Sequence, residues 1–178
     1  SERYFIYWDK DMLSVFDIKN SKTIRTFKFG EGNDIHFASM RKDRLFFFFN
    51  ESMGITNPYN PGQLIVIDLE NENLAEIKRV FLIEGTKLGI LDSTGKIIYY
   101  MLLEDRITLP IELGKPIDSA LYDEKNLRVI TKSQNTLIIY NALDNNIAEY
   151  TFTEEIKDFT FTEQGIYVLS NNGTIWFK

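Results

Sequence analysis

The sequence predicts an all-β fold built from about five similar antiparallel sheets. Residues that favour strands, the aromatic and β-branched ones, are interrupted every few positions by Asn, Asp, Gly or Ser. A pattern of strand, turn and strand also recurs about every 40 residues. The chain has 178 residues and no cysteine, and a chain of this length can bury a core without disulfides. We therefore expect a single domain over residues 1–178.

Each repeat contains a polar turn, a mostly apolar strand, a polar hairpin and an alternating strand. Aligning the first apolar residue of the central strand gives Leu13, Leu64, Ile97, Leu137 and Ile175. The interval from Leu13 to Leu64 is 51 residues, and it is 40 without the 11 residues of the tract NESMGITNPYN. The alignment therefore predicts an insertion loop over residues 50–62, between two middle strands.

The strand before each of these turns repeats as well, in FIYWDKD, LFFFF, LGILDSTG, LRVITKSQN and IYVLSNNG. Four strands per repeat of about 40 residues are typical of the blade of a β-propeller. Burial of the middle strands on both faces explains the nearly continuous apolar runs LIVI, LIIY and IIYY. We interpret the four phenylalanines at 46–49 as core packing on a middle strand. The predicted fold is a β-propeller-like array of about five blades, with three strands in the first and last blades and four in the others.

The end of the third strand resembles a known family. Asp17, Asp68 and Asn141 end their strands where WD repeats place Trp-Asp, and the chain resembles the WD-repeat superfamily of propellers across essentially its whole length. The Gly-His pair of that family is missing, so its buried Asp-His-Ser-Trp network is not built here, and the literal Trp8-Asp9 lies one strand too early. The resemblance implies an irregular, diverged propeller that acts as a protein-interaction scaffold in a larger intracellular assembly, cytoplasmic or nuclear.

The incomplete first and last blades suggest a mode of partner binding. Three explanations stay open: the chain is part of a longer propeller, a partner adds strands by β-augmentation, or a five-bladed ring closes with two three-stranded sheets. The open-edge strands would contain Tyr4 and Ile6 at one end and Ile175 and Phe177 at the other. The expected partners are other protein subunits.

The predicted insertion loop is a second candidate for protein binding. It contains Met53, Ile55 and Tyr59 among prolines and glycines, and loops on a rigid scaffold often carry binding residues. Methionine and tyrosine are suitable anchors because they bury much area at modest entropic cost. An insertion without function is the alternative.

The sequence offers no catalytic constellation, no metal-ligand spacing and no cofactor motif, so we predict a protein that is not an enzyme. His36 is the only histidine and is interpreted as a polar strand residue. The hairpin acids, such as Asp9, Asp11, Asp105 and Asp144, are interpreted as turn formers.

Charge and hydropathy argue against nucleic acid and membrane as partners, although a basic patch formed only on folding stays an alternative. The net charge is -6, and the 20 Lys and Arg residues are scattered, whereas nucleic-acid binding requires clustered cations. No apolar run approaches the ~18 residues of a membrane helix, which predicts no membrane insertion. The start at Ser1 without an apolar leader suggests a fragment of a longer chain.

Two matters stay open at this level. The segment NLAEIKRVFLIE fits a helix with Leu74, Ile77 and Phe81 on one face, and it fits a strand equally well. The alternatives to a scaffold are a propeller enzyme acting on carbohydrate or peptide, and an exported ligand-binding propeller. The sequons at Asn50 and Asn172 would matter only in the exported form.

Overall fold

A computed structural model describes residues 3–41 and 43–177, except for the side chains of Thr174, Trp176 and Phe177. Within these residues the chain forms 19 strands in five antiparallel sheets, one 3₁₀ turn at Glu70–Glu72 and no α-helix. The prediction of an all-β protein is confirmed. In this part of the chain, no helix has the length and apolar character needed to cross a membrane.

The chain divides into two compact units, Ser1–Ile77 and Lys78–Lys178, while the prediction of one domain stays a prediction. The first unit contains two sheets whose strands follow one another in chain order. Sheet 1 consists of β1 (Tyr4–Asp9), β2 (Met12–Asp17) and β3 (Lys22–Lys28), and sheet 2 of β4 (Ile35–Arg41), β5 (Arg44–Phe49), β6 (Ser52–Asn57) and β7 (Asn60–Asp68).

The second unit contains three sheets with the same sequential order. Sheet 3 consists of β8 (Ile77–Ile83), β9 (Lys87–Asp92), β10 (Lys96–Met101), β11 (Arg106–Ile107) and β12 (Ile111–Glu112); sheet 4 of β13 (Ser119–Asp123), β14 (Arg128–Ser133), β15 (Thr136–Asn141) and β16 (Ile147–Thr151); sheet 5 of β17 (Ile156–Thr162), β18 (Gly165–Ser170) and β19 (Gly173–Phe177).

The predicted strand counts of three, four, four, four and three are confirmed if β11 and β12 count as one interrupted outer strand. Both pair with β10, and Pro110 lies in the gap between them. A proline cannot donate to a ladder and is confined to strand edges and irregular positions. β8 also shows that the strand alternative was the right one for the segment around Phe81.

The apolar runs of sheet 4 are buried on both faces, as predicted. Val129 of β14 and Ile138 of β15 belong to a core shared with sheet 3, which includes Tyr99. Their neighbours Ile130 and Leu137 belong to a core shared with sheet 5. Successive side chains of a strand point to opposite faces, so a strand between two packed sheets needs apolar residues at every position.

The prediction of an insertion loop over residues 50–62 is wrong. Most of this segment forms β6 and the start of β7, joined by a short hairpin. The register Phe49↔Ser52 across the β5–β6 turn makes Met53, and not Leu64, the equivalent of Leu13. The interval from Leu13 to Met53 is 40 residues, so no insertion is needed to explain the spacing.

A glycine explains why β6 is hard to recognise in the sequence. Gly54 lies opposite Phe47, and a Cβ at Gly54 would overlap the Phe47 ring. Phe81 covers Gly89 of β9 in the same way. In both sheets an aromatic ring occupies the space of the missing side chain, so a strand interior that contains glycine stays buried.

The four phenylalanines lie on β5, a middle strand, as predicted, and Phe46, Phe47 and Phe48 are buried. His36 lies on β4 and is exposed, also as predicted. A register shift between Ile35 and Phe37 breaks the expected alternation. Ala38, which follows this shift, is buried.

Candidate functional site

The surface of β1 is the first candidate site, because β1 lies at one edge of sheet 1. Phe5 is 59% exposed and Tyr7 is 49% exposed, and both lie on the same face of the strand. Tyr4 and Ile6, the residues predicted for this open edge, are half-buried and pack against the core of the first unit. The accessible residues of this edge are therefore the neighbours of the predicted ones.

Tyr4 and Tyr59 were predicted as binding residues for separate reasons, and the structure places them in contact. Their hydroxyl oxygens are 3.2 Å apart, and their rings meet edge to face with centroids 6.5 Å apart. Tyr59 lies in the hairpin between β6 and β7, where its N–H donates to Asn57 Oδ1 at 2.9 Å. The half-exposed Tyr59 ring thus links this hairpin to the edge of sheet 1.

Asp17, at the end of β2, is the charged group of this cluster and is almost fully buried. It accepts hydrogen bonds from the Arg3 guanidinium at 3.1 Å, from the Asn20 N–H at 3.1 Å and from Asn20 Nδ2 at 2.8 Å. The Tyr59 hydroxyl also donates to Asp17 Oδ2 at 3.4 Å. These contacts fix the positions of the tyrosines beside β1.

The pKa values of the cluster show what it can do chemically. Burial raises the pKa of Asp17, but the hydrogen bonds from Asn20 and Arg3 outweigh it and lower that pKa to about 2. The hydrogen bond to Tyr4, followed by burial, raises the pKa of Tyr59 to about 12. A general acid or base works best with a pKa near the working pH, so these groups serve to hold structure at neutral pH.

The second unit repeats the turn that follows Asp17. The Asn126 N–H and Nδ2 donate to Asp123 at 3.1 and 2.8 Å, and Arg128 donates to Asp123 Oδ2 at 2.8 Å. Burial raises the pKa of Asp123, but the hydrogen bonds from Asn126 and Arg128 outweigh it and lower that pKa. The segments FDIKN and YDEKN carry this motif, a signal that the repeat alignment did not use.

A groove of about 220 Å³ lies beside the β1 edge. Its lining combines β1 and β4 residues: Tyr4, Phe5, Ile6, Trp8, Ala38, Ser39, Met40 and Arg41. Pockets for small ligands usually span about 300–1,000 Å³. This groove is smaller and has the size of one or two side chains of a bound protein.

A second cavity, of about 340 Å³, also lies in the first unit. His36 and three acids, Glu51, Glu70 and Glu76, line it together with Phe48 of β5, the β5–β6 turn and the segment that follows β7. Its volume is at the lower end of the range for small-ligand pockets. Among the described residues no group of three His, Asp or Glu side chains is arranged to hold a metal ion.

Two predicted loop anchors are not in a loop. Met53 and Ile55 lie on β6 and are buried, because β6 is a central strand of sheet 2 and its side chains pack against neighbours on both faces. Of the three residues predicted as protein-binding anchors, only Tyr59 reaches the surface. A binding role for Tyr59 stays a prediction.

At the other end of the chain, β19 lies at the edge of sheet 5. Ile175 is about half exposed, and its backbone pairs with Val168. The side chain of Phe177 lies outside the part of the chain that the structure describes. The predicted binding role of this strand also stays a prediction.

Sequence reasoning missed a buried polar network in the second unit. The hydroxyls of Tyr99 and Tyr140 are 2.5 Å apart, Tyr140 donates to Asn145 Oδ1 at 2.7 Å, and the Lys87 ammonium lies 3.7 Å from the Tyr99 ring centroid. Burial raises the pKa values of both tyrosines and lowers that of Lys87. The network satisfies tyrosine hydroxyls inside a core, a structural role.

Comparison with known proteins does not assign the chain to a family. No protein-family model matches the chain. No curated protein matches it either. The fold and the surfaces described above are therefore the basis for assigning a function.

Proposed function

We propose that this protein is a protein-interaction scaffold whose sheets are blades of a diverged, WD-repeat-like β-propeller. The observation that carries the proposal is the β1 edge, where Phe5 and Tyr7 are exposed on a strand whose outer edge pairs with no described strand. Aromatic residues dominate the binding energy of protein interfaces. A strand edge also offers main-chain donors and acceptors to a partner.

The order of the strands supports the comparison with propeller blades. Each sheet is an antiparallel meander in chain order, and the sheets contain three or four strands once β11 and β12 count as one. In the second unit, sheet 4 packs on sheet 3 with one face and on sheet 5 with the other. Blades of a propeller pack on their neighbours in this manner.

The cluster around Asp17 supports a binding role for β1. Arg3, Asn20 and Tyr59 hold Asp17 by hydrogen bonds, and Tyr4 contacts Tyr59. Because these side chains are already fixed by hydrogen bonds, the surface around β1 would lose less conformational entropy when a partner binds. The absence of cysteine is compatible with the reducing interior of a cell, where we place the assembly, in the cytoplasm or nucleus.

Photocrosslinking tests the proposal directly. A photoreactive benzoylphenylalanine replaces Phe5 in the full chain, expressed in its native cell, and the crosslinked proteins are identified. We expect one protein partner to crosslink at position 5 and to be lost when Tyr7 is replaced by Ser. The control places the same group at Leu109, an exposed residue between β11 and β12.

Two results would contradict the proposal. One is equal crosslinking at positions 5 and 109, which would mean that β1 contacts other proteins only by collision. The other is a purified full-length protein that binds no protein and turns over a glycan or peptide, which would favour the enzyme alternative. The exported alternative predicts glycosidase-sensitive protein from a secretory host.

A further inference from the structure

We propose that the outer edge of β7 binds an extended apolar segment of a partner protein, which runs antiparallel to β7 and carries Lys or Arg on its N-terminal side. The inference depends on the proposed function in that the occupant is a protein. It concerns a different strand from β1, and the two surfaces are tested by different substitutions.

The backbone of β7 supplies unpaired hydrogen-bonding groups. β7 is the last strand of sheet 2, and no described strand pairs with its outer edge. The Leu69 N–H donates to the Glu51 carbonyl at 2.8 Å. Bonded and non-bonded pairs alternate along an antiparallel ladder, so Ile67 is bonded to β6 and Val66 directs its N–H and C=O outward.

The side chains of β7 present apolar surface on both faces. Leu64, Ile65 and Val66 are 50%, 47% and 54% exposed. Because successive side chains alternate, Leu64 and Val66 lie on one face and Ile65 on the other. A strand added at this edge would cover all three through cross-strand contacts.

Three other outer strands carry features that discourage such pairing, and the segment at residues 64–67 of β7 lacks them. β3 contains Lys22 and Arg25, β16 contains Glu149, and Pro110 separates β11 from β12. Charged residues and prolines are the usual means of keeping edge strands unpaired. The part of β7 before Asp68 has no charged residue, and its one proline, Pro61, lies at the start of the strand, away from the exposed apolar residues.

Charge indicates the kind of strand that fits. Glu51, Asp68 and Glu70 are exposed at the C-terminal end of β7, and none has a cation partner among the described residues. All strand pairs of sheet 2 are antiparallel, and antiparallel pairing is slightly more stable per residue, so an added strand should run antiparallel to β7. In that arrangement this end of β7 meets the N-terminal side of the partner strand, where Lys or Arg would pair with the carboxylates. A second copy of β7 would leave these carboxylates without cations, which favours a basic partner.

The test uses the full chain and two synthetic peptides with the same composition, Lys-Lys-Lys-Val-Thr-Val-Thr-Val and Val-Thr-Val-Thr-Val-Lys-Lys-Lys. We expect the first to bind more tightly in a titration followed by fluorescence anisotropy. Val66→Lys should weaken its binding by about tenfold or more, because it replaces an apolar cross-strand contact by a charge of the same sign as the lysines of the peptide. Val66→Pro, which removes an outward donor, should do the same.

Two further variants separate edge pairing from general charge effects. Ile147→Lys adds the same charge to the outer strand β16 and should leave peptide binding unchanged. Glu51→Gln combined with Glu70→Gln should reduce the preference for the peptide with N-terminal lysines. If the Val66→Pro protein unfolds, Val66→Lys still decides the outcome, because it leaves the backbone intact.

The inference is overturned if Val66→Lys and wild type bind the first peptide equally, or if the two peptides bind equally. It is also overturned if sedimentation shows self-association that Val66→Lys abolishes while neither peptide binds, which would make a second copy the occupant. Failure here with β1-dependent crosslinking intact would leave the scaffold proposal standing. Loss of that crosslinking would count against the scaffold itself.

Discussion

Two nearly identical segments, LIVI at residues 64–67 and LIIY at residues 137–140, have opposite environments. Leu137 on β15 is fully buried, whereas Leu64 on β7 is 50% exposed. β15 is the third strand of sheet 4, and β7 is the last strand of sheet 2. The comparison teaches that an apolar run forms either a strand that is buried on both faces or an edge strand with an exposed apolar surface. The amino-acid sequence of the run does not distinguish the two.

The largest expected effect comes from the same substitution in both segments. Leu137→Ala should lower the free energy of unfolding by about 2–5 kcal/mol, because it leaves a cavity in a packed core. Leu64→Ala should cost less than about 1 kcal/mol, since the side chain is half in water already. Urea unfolding of the two variants measures the difference. Equal losses would show that β7 is covered in solution and would break the comparison.

The next largest effect concerns β6, one of the two central strands of sheet 2. Gly54→Ala on β6 should cost about 1–3 kcal/mol, because the new Cβ would overlap the Phe47 ring and force it to move. The matched control is Gly62→Ala on β7, where the nearest atom, Asn60 Oδ1, is 3.8 Å away and the change should be nearly neutral. Thermal unfolding of both variants checks this; a neutral Gly54→Ala would contradict the packing of β6.

The third effect concerns the pH dependence of stability and the two similar turns at Asp17 and Asp123. The pKa of Asp17 falls from 3.8 to about 2 on folding, so its contribution is present above about pH 4 and is lost as the pH falls toward 2. Asp17→Asn should therefore flatten the dependence of stability on pH in that window. Asn20→Ala, which removes the hydrogen bond from Asn20 Nδ2 to Asp17, should move the loss to higher pH.

Asp123 sharpens this test because its pKa is lowered by the same kind of contacts. Asp123→Asn should flatten the profile in the same direction. Urea midpoints measured between pH 5 and pH 2 provide the comparison. An unchanged profile in both variants would mean that the hydrogen bonds of these turns do not persist in solution.

The smallest expected effect is that of a charge on the exposed edge. Val66→Lys should change the free energy of unfolding by less than about 0.5 kcal/mol, as surface substitutions usually do. Circular dichroism with urea unfolding measures this change. A large loss at Val66 would indicate that the β7 edge is already paired.

Much of the fold could be predicted from local patterns. The strand counts follow from alternating apolar residues and turn residues, and the burial of Phe46 to Phe48 follows from an unbroken aromatic run on a middle strand. The turns FDIKN and YDEKN have the same hydrogen bonds because their Asp and Asn are three residues apart and close the turn locally. Such short-range geometry depends little on the rest of the protein.

The candidate site was predictable only in part. Tyr4 and Tyr59 are 55 residues apart in the chain, and each was singled out for a separate reason. Their contact at 3.2 Å depends on how sheet 1 and sheet 2 pack. Met53 and Ile55 were misplaced because β6 contains a glycine and polar residues, and no sequence pattern shows that the Phe47 ring covers Gly54.

The sequence by itself determined that the chain forms short antiparallel strands in repeated meanders, because side-chain alternation and turn residues act over a few positions. Only the tertiary structure decided which apolar strand lies inside a sheet and which lies at its edge. The physical reason is that burial of a strand depends on packing between residues distant in the chain, such as Ile130 of β14 and Phe159 of β17. No described strand pairs with the outer edge of β7, and Leu64, Ile65 and Val66 stay about half exposed there.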